Sequence, residues 1–229
     1  MTKKNLRILL IMAKRPQAGN TKTRLSPPYT LEEAAKLYTQ FLLDAIELAR
    51  LLPGVIPAIA YAPDDDETLA WFGEFAPNCL LIPQRGETLG DRLDYVLTES
   101  LNTEIIGQAV AVCSDSPALS PELVLAGFER LDDPAVDATL GPCDDGGYYL
   151  IGWKRPYPRM VREVTMSTDH VTADTLAIAK EDGIAVAVLP EYFDVDTAED
   201  LERVRTALAD VDGYGQNTKR FLGKVLDAR

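Results

Sequence analysis

Short apolar runs alternate with longer amphipathic segments along most of the chain, and this alternation excludes most fold classes. Residues 6–13 are almost continuously apolar, which is typical of a parallel strand that is buried on both faces. Over residues 31–52 the apolar positions recur at helical spacing instead, and Thr30 with Glu33 predicts a capping box at the start of that helix. Strands that alternate with helices predict a mostly parallel sheet with helices on both faces.

The same patterns continue through the rest of the chain. They predict further strands at 54–62, 78–83, 107–113, 136–141, 148–153 and 183–190, and further helices at 64–75, 88–101, 121–131, 171–182 and 197–209. Pro57 indicates an edge or irregular position in its strand. The sequence therefore predicts a single-domain, Rossmann-like three-layer α/β sandwich over residues 1–209. Residues 210–229 have weak periodicity, and we expect either a docked terminal helix or a loose tail.

Charge and cysteine content exclude several classes of protein. The chain of 229 residues has a formal net charge of −13, which disfavours nucleic acid as a partner. Its apolar runs are too short to cross a bilayer, and its N-terminal run has no cleavage site, so we expect a cytoplasmic protein with no membrane partner. Cys79, Cys113 and Cys143 are far apart and lack CxxC spacing, which argues against a disulfide framework or a zinc site.

Positive charge is concentrated in the first 31 residues, which contain no Asp or Glu. In the stretch AKRPQAGNTKTRL, directly after the first predicted strand, Lys14, Lys22 and Arg24 offer charge and Gly19 relaxes the backbone. Ligands of open α/β sheets bind at the carboxyl ends of strands, so this loop predicts a phosphate site. Its spacing matches neither a P-loop nor GxGxxG, and a basic surface loop is the alternative.

Carboxylates follow two other predicted strands. Asp115 comes two residues after an apolar strand, where it could hold Mg²⁺ or Mn²⁺ through oxygen, although a turn-forming Asp is the alternative. Asp194 and Asp196 alternate in an extended segment and so point to opposite sides of it. Thr197 with Asp200 is typical of a helix start, which leaves at least one of the two aspartates free to complete a two-carboxylate metal site.

The stretch QRGETLGDRL follows the third predicted strand. Gln84 could read the edge of a nucleobase, while Gly86 and Gly90 permit a close approach of the backbone to a ligand. The alternative is a plain helix start, with Thr88 as the cap and Asp91 at the third helical position.

The stretch GPCDDGG lies between two predicted strands. An Asp-Gly pair in such a position is typical of a hairpin, so Asp145, Gly146 and Gly147 have a structural interpretation. The carboxylates of this turn could still face a substrate.

Six motifs occur in the order seen in a known bacterial family: KRPQAGNTKTRL, QRGETLGDRL, CSDSPALSPELV, GPCDDGGYYLIG, MSTDHV and DVDTAEDL. Over residues 6–209 the chain resembles the DUF2064 family, which is described as glycosyltransferases and sometimes linked to arsenosugar biosynthesis. That family belongs to the nucleotide-diphospho-sugar transferase superfamily with the GT-A fold. Two positions depart from it: Ser116 stands where Cys is usual, and Met166 stands where Trp often precedes ST.

The resemblance implies a role for each matching residue. It implies phosphate binding by Lys14, Lys22 and Arg24 with Gly19, nucleoside contacts by Gln84 and Gly90, and a metal held by Asp115 and Asp196, with Asp194 as the alternative. It further implies that Asp145, beside Gly146 and Gly147, contacts the acceptor or acts as a base, and that Lys22 assists catalysis.

The implied function is Mg²⁺- or Mn²⁺-dependent transfer from a nucleotide sugar to a small-molecule acceptor. The alternatives are nucleotidyl transfer with release of pyrophosphate, as in guanylyltransferases, and a nucleotide-binding module without turnover. The sequence leaves the nucleobase, the sugar, the acceptor and the oligomeric state open.

Overall fold

The computed structural model describes residues 5–227, with side chains described to residue 224. Within that part of the chain, seven strands form one sheet in the order β3-β2-β1-β4-β6-β5-β7. β6 is antiparallel to both of its neighbours, whereas all other adjacent strands are parallel. The strands are β1 (Leu6–Lys14), β2 (Val55–Ala62), β3 (Leu80–Pro83), β4 (Ile106–Cys113), β5 (Ala138–Pro142), β6 (Tyr148–Trp153) and β7 (Val186–Val188).

Helices cover both faces of the sheet. Along β1, Ile8 and Leu10 pack into one apolar core, while Leu9 and Ile11 pack into the other. This alternation follows from the two-residue period of a strand, and it confirms the predicted three-layer α/β sandwich. The helices are α1 (Leu31–Leu51), α2 (Asp66–Phe75), α3 (Leu89–Leu101), α4 (Pro121–Asp132), α5 (Arg159–Arg162), α6 (Val171–Glu181), α7 (Asp200–Leu208) and α8 (Gln216–Asp227).

Local capping chemistry sets the start of several helices, as the sequence predicted. Thr30 Oγ1 accepts a hydrogen bond from Glu33 N at 3.1 Å, and Glu33 Oε2 accepts one from Thr30 N at 2.8 Å. Thr88 and Asp91 form the same reciprocal box before α3, and Ser120 caps α4. Among the described helices, none is both long and apolar enough to span a bilayer.

Helix α7 begins later than predicted, at Asp200 rather than at residue 197. Asp200 Oδ2 accepts hydrogen bonds from Asp196 N at 3.1 Å and from Thr197 N at 2.8 Å, so its carboxylate holds residues 197–199 in a turn. The helix-start signature is therefore present, but it fixes the turn before the helix. The turn also fixes the backbone of Asp196.

Two strands are shorter or less regular than their apolar patterns suggest. β7 pairs with β5 over three residues only, instead of running over 183–190, and Pro190 follows its end. β2 lies inside the sheet, but its pairing with β3 starts at Ala58. Pro57 therefore has a strand neighbour on one side only, which is the irregular position that proline indicated. The sequence did not predict the short helix α5.

The C-terminal segment docks on α1 through a buried carboxylate. Asp44 is 2% exposed; its Oδ1 accepts from Asn217 N and Nδ2, and its Oδ2 accepts from Thr218 N, each at 2.9 Å. These bonds satisfy free N–H groups in the first turn of α8. Burial raises the pKa of Asp44, and the hydrogen bonds from Thr218 and Asn217 only partly oppose it. Of the two predicted alternatives, the described residues adopt the docked helix.

Candidate active site at the carboxyl edge of the sheet

A cavity of about 390 Å³ lies at the edge where β1 and β4 end and the antiparallel β6 begins. The loop after β1, called here the basic loop (residues 14–30), forms one wall of the cavity. Of the residues predicted from separate motifs, Lys14, Lys22, Arg24, Gln84, Asp115 and Asp196 line this cavity, whereas Gly19, Gly90, Asp145, Gly146, Gly147 and Asp194 do not.

Lys22 lies at the centre of the polar contacts. Its Nζ donates to Val195 O at 2.5 Å and lies 3.0 Å from Asp115 Oδ2 and 3.3 Å from Asp196 Oδ1. All three donors of the ammonium are thus used, and the side chain is only 8% exposed. Burial by itself would lower the pKa of Lys22, but the charges of Asp115 and Asp196 outweigh it and raise that pKa.

Asp115 and Asp196, called here the bridged carboxylates, come from segments that are distant in sequence: Asp115 follows β4, and Asp196 precedes α7. Arg24 Nη1 makes a second ion pair with Asp196 Oδ2 at 2.9 Å. The backbone joins the same two segments, because Val195 N donates to Asp115 O at 3.0 Å. The two carboxylates are therefore held together by main-chain and side-chain contacts.

Tyr38 of α1 supports this arrangement, and sequence reasoning treated it only as a core residue. Its hydroxyl accepts from Lys14 N at 3.1 Å and lies 2.8 Å from Ser114 Oγ, which donates to Met12 O at 2.7 Å. The ends of β1 and β4 are thereby tied to α1. In the sequence, Tyr38 occupies one of the apolar positions of α1, which indicates only a core residue. The role of its hydroxyl becomes apparent where α1 meets the ends of β1 and β4 in the folded protein.

Ser116, one of the two departures from the family pattern, has a clear contact. Its Oγ donates to Phe193 O at 2.9 Å and lies 3.4 Å from Cys113 Sγ. The hydroxyl therefore fixes the segment that carries Asp194 and Asp196 against the end of β4. Burial raises the pKa of Cys113 to about 12, so its thiol stays protonated.

Gln84 and Gly90 occupy different surroundings. Gln84 is buried against the cavity, and its Nε2 donates to Ala13 O at 3.1 Å and to Ala60 O at 2.6 Å. Both N–H donors of the Gln84 side-chain amide therefore bind backbone carbonyls of β1 and β2, and its carbonyl oxygen is the polar atom left to face a ligand.

At Gly90 an added Cβ would lie 2.1 Å from Val161 O, so close packing of α3 on α5 requires the glycine.

A second group of acidic residues lies beside the cavity. Ligand atoms of Cys143, Asp145 and Asp194 are within 4.8 Å of one another, and this set is called here the acidic turn cluster. Asp145 Oδ1 accepts from Gly147 N at 2.8 Å. Burial, followed by the charges of Asp145 and Asp196, raises the pKa of Asp194 to about 6.

The turn that carries Asp145 depends on glycine. Gly146 has a φ of +89°, and an added Cβ would lie 1.9 Å from Asp169 O. The neighbouring chain is held in place because Thr172 N donates to Gly146 O at 2.9 Å. The Asp-Gly pair therefore forms the predicted hairpin between β5 and β6, and it also fixes the position of Asp145.

Comparison with known families and solved structures shows which proteins resemble this chain. The family model described as "Uncharacterized protein conserved in bacteria (DUF2064)" matches residues 46–168, which is more than half of the chain. This chain belongs to the DUF2064 family. A search of curated proteins finds no match to it.

Solved structures extend the likeness of this DUF2064 protein. A protein from Desulfovibrio desulfuricans G20, described as a "putative nucleotide-diphospho-sugar transferase", is 27% identical, with a TM-score of 0.85 over 97% of this chain and 95% of the other. A CMP:2-keto-3-deoxy-manno-octonic acid synthetase complexed with CTP is 17% identical, with a TM-score of 0.58 over 90% and 99% of the two chains. A 4-diphosphocytidyl-2C-methyl-D-erythritol synthase is 14% identical, with a TM-score of 0.53 and the same coverage. The DUF2064 chain therefore has the nucleotide-diphospho-sugar transferase fold, which cytidylyltransferases share.

The donor set of the DUF2064 protein fits a divalent cation of the Mg²⁺ or Mn²⁺ type. Such ions take oxygen ligands; the bridged carboxylates line the cavity, and Asp145 and Asp194 lie beside it. Burial raises the pKa of Asp194, and the neighbouring charges of Asp145 and Asp196 raise it further. Lys22 and Arg24 are the cations that the bridged carboxylates face in this structure.

Proposed function

We propose that this protein transfers a glycosyl group from a nucleoside-diphosphate sugar to a small-molecule acceptor, with a divalent metal ion. The observation that carries the proposal is the meeting of Asp115, Asp196 and Lys22 at one end of a cavity formed by the strand ends. Likeness over nearly the full length to the Desulfovibrio protein supports a nucleotide-sugar substrate.

The cations of the basic loop would bind the donor's diphosphate. When bound, Mg²⁺ or Mn²⁺ held by Asp115 and Asp196 would neutralise charge on the leaving diphosphate as a Lewis acid. Lys22 and Arg24 carry positive charge beside the same carboxylates, and Lys14 lines the cavity without an ion-pair partner among the described residues. Gly19 has a φ of +82°, which lets the loop turn back toward the cavity.

Asp145 is the proposed proton acceptor. The acceptor's hydroxyl oxygen attacks the anomeric carbon, the bond from that carbon to the diphosphate breaks, and the hydroxyl proton passes to a carboxylate. Asp145 is exposed in the acidic turn cluster beside the cavity, and its Oδ1 is oriented by Gly147 N. This assignment requires inversion at the anomeric carbon.

Nucleotidyl transfer is a second candidate, and one observation favours it. Three cationic side chains of the basic loop line the cavity, which suits a triphosphate as well as a diphosphate. In that reaction a substrate phosphate or hydroxyl attacks the α-phosphorus, and pyrophosphate leaves. The fold shared with a CTP-complexed synthetase is compatible with it.

The released product separates these reactions. The protein would be incubated with Mn²⁺ and panels of nucleoside-diphosphate sugars and nucleoside triphosphates, with water as the default acceptor. Release of nucleoside diphosphate from a sugar nucleotide supports glycosyl transfer, whereas release of pyrophosphate from a triphosphate contradicts it and supports the second candidate. Calorimetric binding of either panel without any product would instead identify a binding module without turnover.

Two variants connect the product to the site. Asp115→Ala should abolish the Mn²⁺ dependence of binding and turnover, because it removes a central oxygen donor. Asp210→Ala is the matched control, since Asp210 is exposed and does not line the cavity. Unchanged metal dependence in Asp115→Ala would contradict the assigned metal site.

A further inference from the structure

The ammonium of Lys22 occupies the space that a shared metal ion needs. It contacts an oxygen of each bridged carboxylate, Asp115 Oδ2 at 3.0 Å and Asp196 Oδ1 at 3.3 Å. A cation that both carboxylates ligate must lie between them, and Mg²⁺ demands oxygen ligands at about 2.0–2.1 Å. An ammonium and a divalent ion repel each other at such distances, so both cannot occupy this space.

The contacts of Lys22 also show how it could be released. Its only neutral partner among the described residues is Val195 O, and the rest of its interaction is with two charges. Arg24, two residues further along the same loop, contacts the second oxygen of Asp196. A ligand that attracts the cations of the basic loop would therefore free Asp196 from both of them in one movement.

The backbone at Lys22 is in the left-handed region, with φ 49° and ψ 41°. Lys22 is one of two non-glycine residues with positive φ among residues 5–227. This conformation is unfavourable for a residue with a Cβ, and here it accompanies a side chain whose three donors are all engaged. The left-handed backbone at Lys22 therefore supports the contacts of its ammonium with the two carboxylates.

We propose that Lys22 is a built-in counter-cation that keeps the divalent-metal site closed until the phosphates of a nucleotide draw its ammonium away. This inference rests on the proposed function, because it takes the bridged carboxylates as the metal ligands. Its consequence is coupling: metal binds weakly to the free protein and tightly once phosphate is present. By linkage, metal must strengthen phosphate binding by the same factor.

The test measures Mn²⁺ affinity without nucleotide, by calorimetry and by the electron paramagnetic resonance signal of free Mn²⁺. Lys22→Met removes the charge and keeps the apolar stem, so it should bind Mn²⁺ roughly tenfold or more tightly than the unmodified protein, within the usual range of coupling between sites. Lys22→Gln is the second neutral variant in case the first does not fold, and Lys22→Arg, which keeps the charge, should bind Mn²⁺ as weakly as the unmodified protein.

Two controls separate direct contact from general electrostatics. Lys36→Met changes the net charge equally at an exposed site on α1, and Lys14→Met removes a cation that lines the cavity without contacting the bridged carboxylates. Neither should tighten Mn²⁺ binding as Lys22→Met does. An equal gain in Mn²⁺ affinity in Lys14→Met would overturn the proposal, because direct contact of the cation with the bridged carboxylates would then not matter.

The remaining outcomes distinguish this inference from the proposed function. Mn²⁺ affinity that is unchanged in both neutral Lys22 variants, but lost in Asp115→Ala, overturns the counter-cation role and leaves the metal site intact. Absence of Mn²⁺ binding in every variant overturns the metal site itself, and the counter-cation role with it. Tighter binding in Lys22→Met that Asp115→Ala then abolishes supports both.

Discussion

Two groups of carboxylates lie at the same edge of the sheet, and they differ in the charges that face them. The bridged carboxylates, Asp115 and Asp196, are paired with Lys22 and Arg24. In the acidic turn cluster, Asp145 and Asp194 have no ion pair with Lys or Arg among the described residues. The pKa of Asp194 is correspondingly raised to about 6, by burial and by its neighbouring carboxylates. Burial and the neighbouring carboxylates therefore distinguish Asp194 from an ordinary aspartate at this edge.

The largest expected effect tests whether the bridged carboxylates carry the chemistry. Asp115→Asn keeps the shape of the side chain but removes the charge that faces the metal, and it should lower kcat/KM by about 10²-fold or more. Steady-state kinetics of the identified reaction would measure this. Asp210→Asn provides the baseline, and a loss in Asp115→Asn no larger than in that control would place the chemistry elsewhere.

The next effect tests whether the acidic turn cluster depends on its backbone. Gly146→Ala should destabilise the protein by about 3 kcal/mol, because its Cβ would lie 1.9 Å from Asp169 O at a φ of +89°. Gly183 has a φ of +67° with nothing within 4 Å of an added Cβ, so Gly183→Ala isolates the cost of the conformation alone, about 1 kcal/mol. Denaturant unfolding compares the two, and equal losses would show that the close contact relaxes freely.

A smaller effect tests the charge balance of the bridged carboxylates. In EDTA, Lys22→Met should lower the free energy of unfolding by about 2 kcal/mol, because it leaves Asp115 without a cation and Asp196 with Arg24 alone. That figure is below the usual cost of breaking a buried pair, since Asp115 and Asp196 are 33% and 43% exposed and solvent screens them. Added Mn²⁺ should restore the lost stability, and failure to do so would argue against replacement of the ammonium by metal.

The smallest effect is the pH dependence of the acidic turn cluster. The folded-state pKa of Asp194, about 6, lies above its ordinary value of 3.8, so the folded state binds this proton more tightly than the unfolded state does. This contribution to stability is fully present below about pH 4 and is lost as pH rises through about 6. In EDTA at pH 7–8, Asp194→Asn should therefore raise the melting temperature by roughly 1–3 °C, and the gain should vanish near pH 4.

Thermal unfolding across that pH range would measure the difference between Asp194→Asn and the unmodified protein. Asp210→Asn controls for the loss of one negative charge at the surface. If Asp194→Asn also raised the melting temperature at pH 4, the substitution would act through packing and not through the ionisation of Asp194.

The order and type of most elements could be predicted because they depend on near neighbours in the chain. The capping boxes at Thr30 and Thr88 join residues three positions apart, and the apolar run of β1 specifies a strand buried on both faces. The basic loop and Asp115 were identified from their position directly after apolar strands. The docking of α8 was left open, since its decisive partner, Asp44, lies 173 residues before Asn217.

By itself, the sequence determined the α/β architecture, the capped starts of α1, α3 and α4, and the set of charged residues that follow the strands. Only the tertiary structure decided which of those charges meet: Lys22 and Asp196 are 174 residues apart, and Asp194, two residues from Asp196, joins Cys143 and Asp145 instead. Secondary structure follows from short-range periodicity and capping, whereas charge pairing depends on distances of a few ångströms across the folded sheet. Those distances exist only once the strands have aligned.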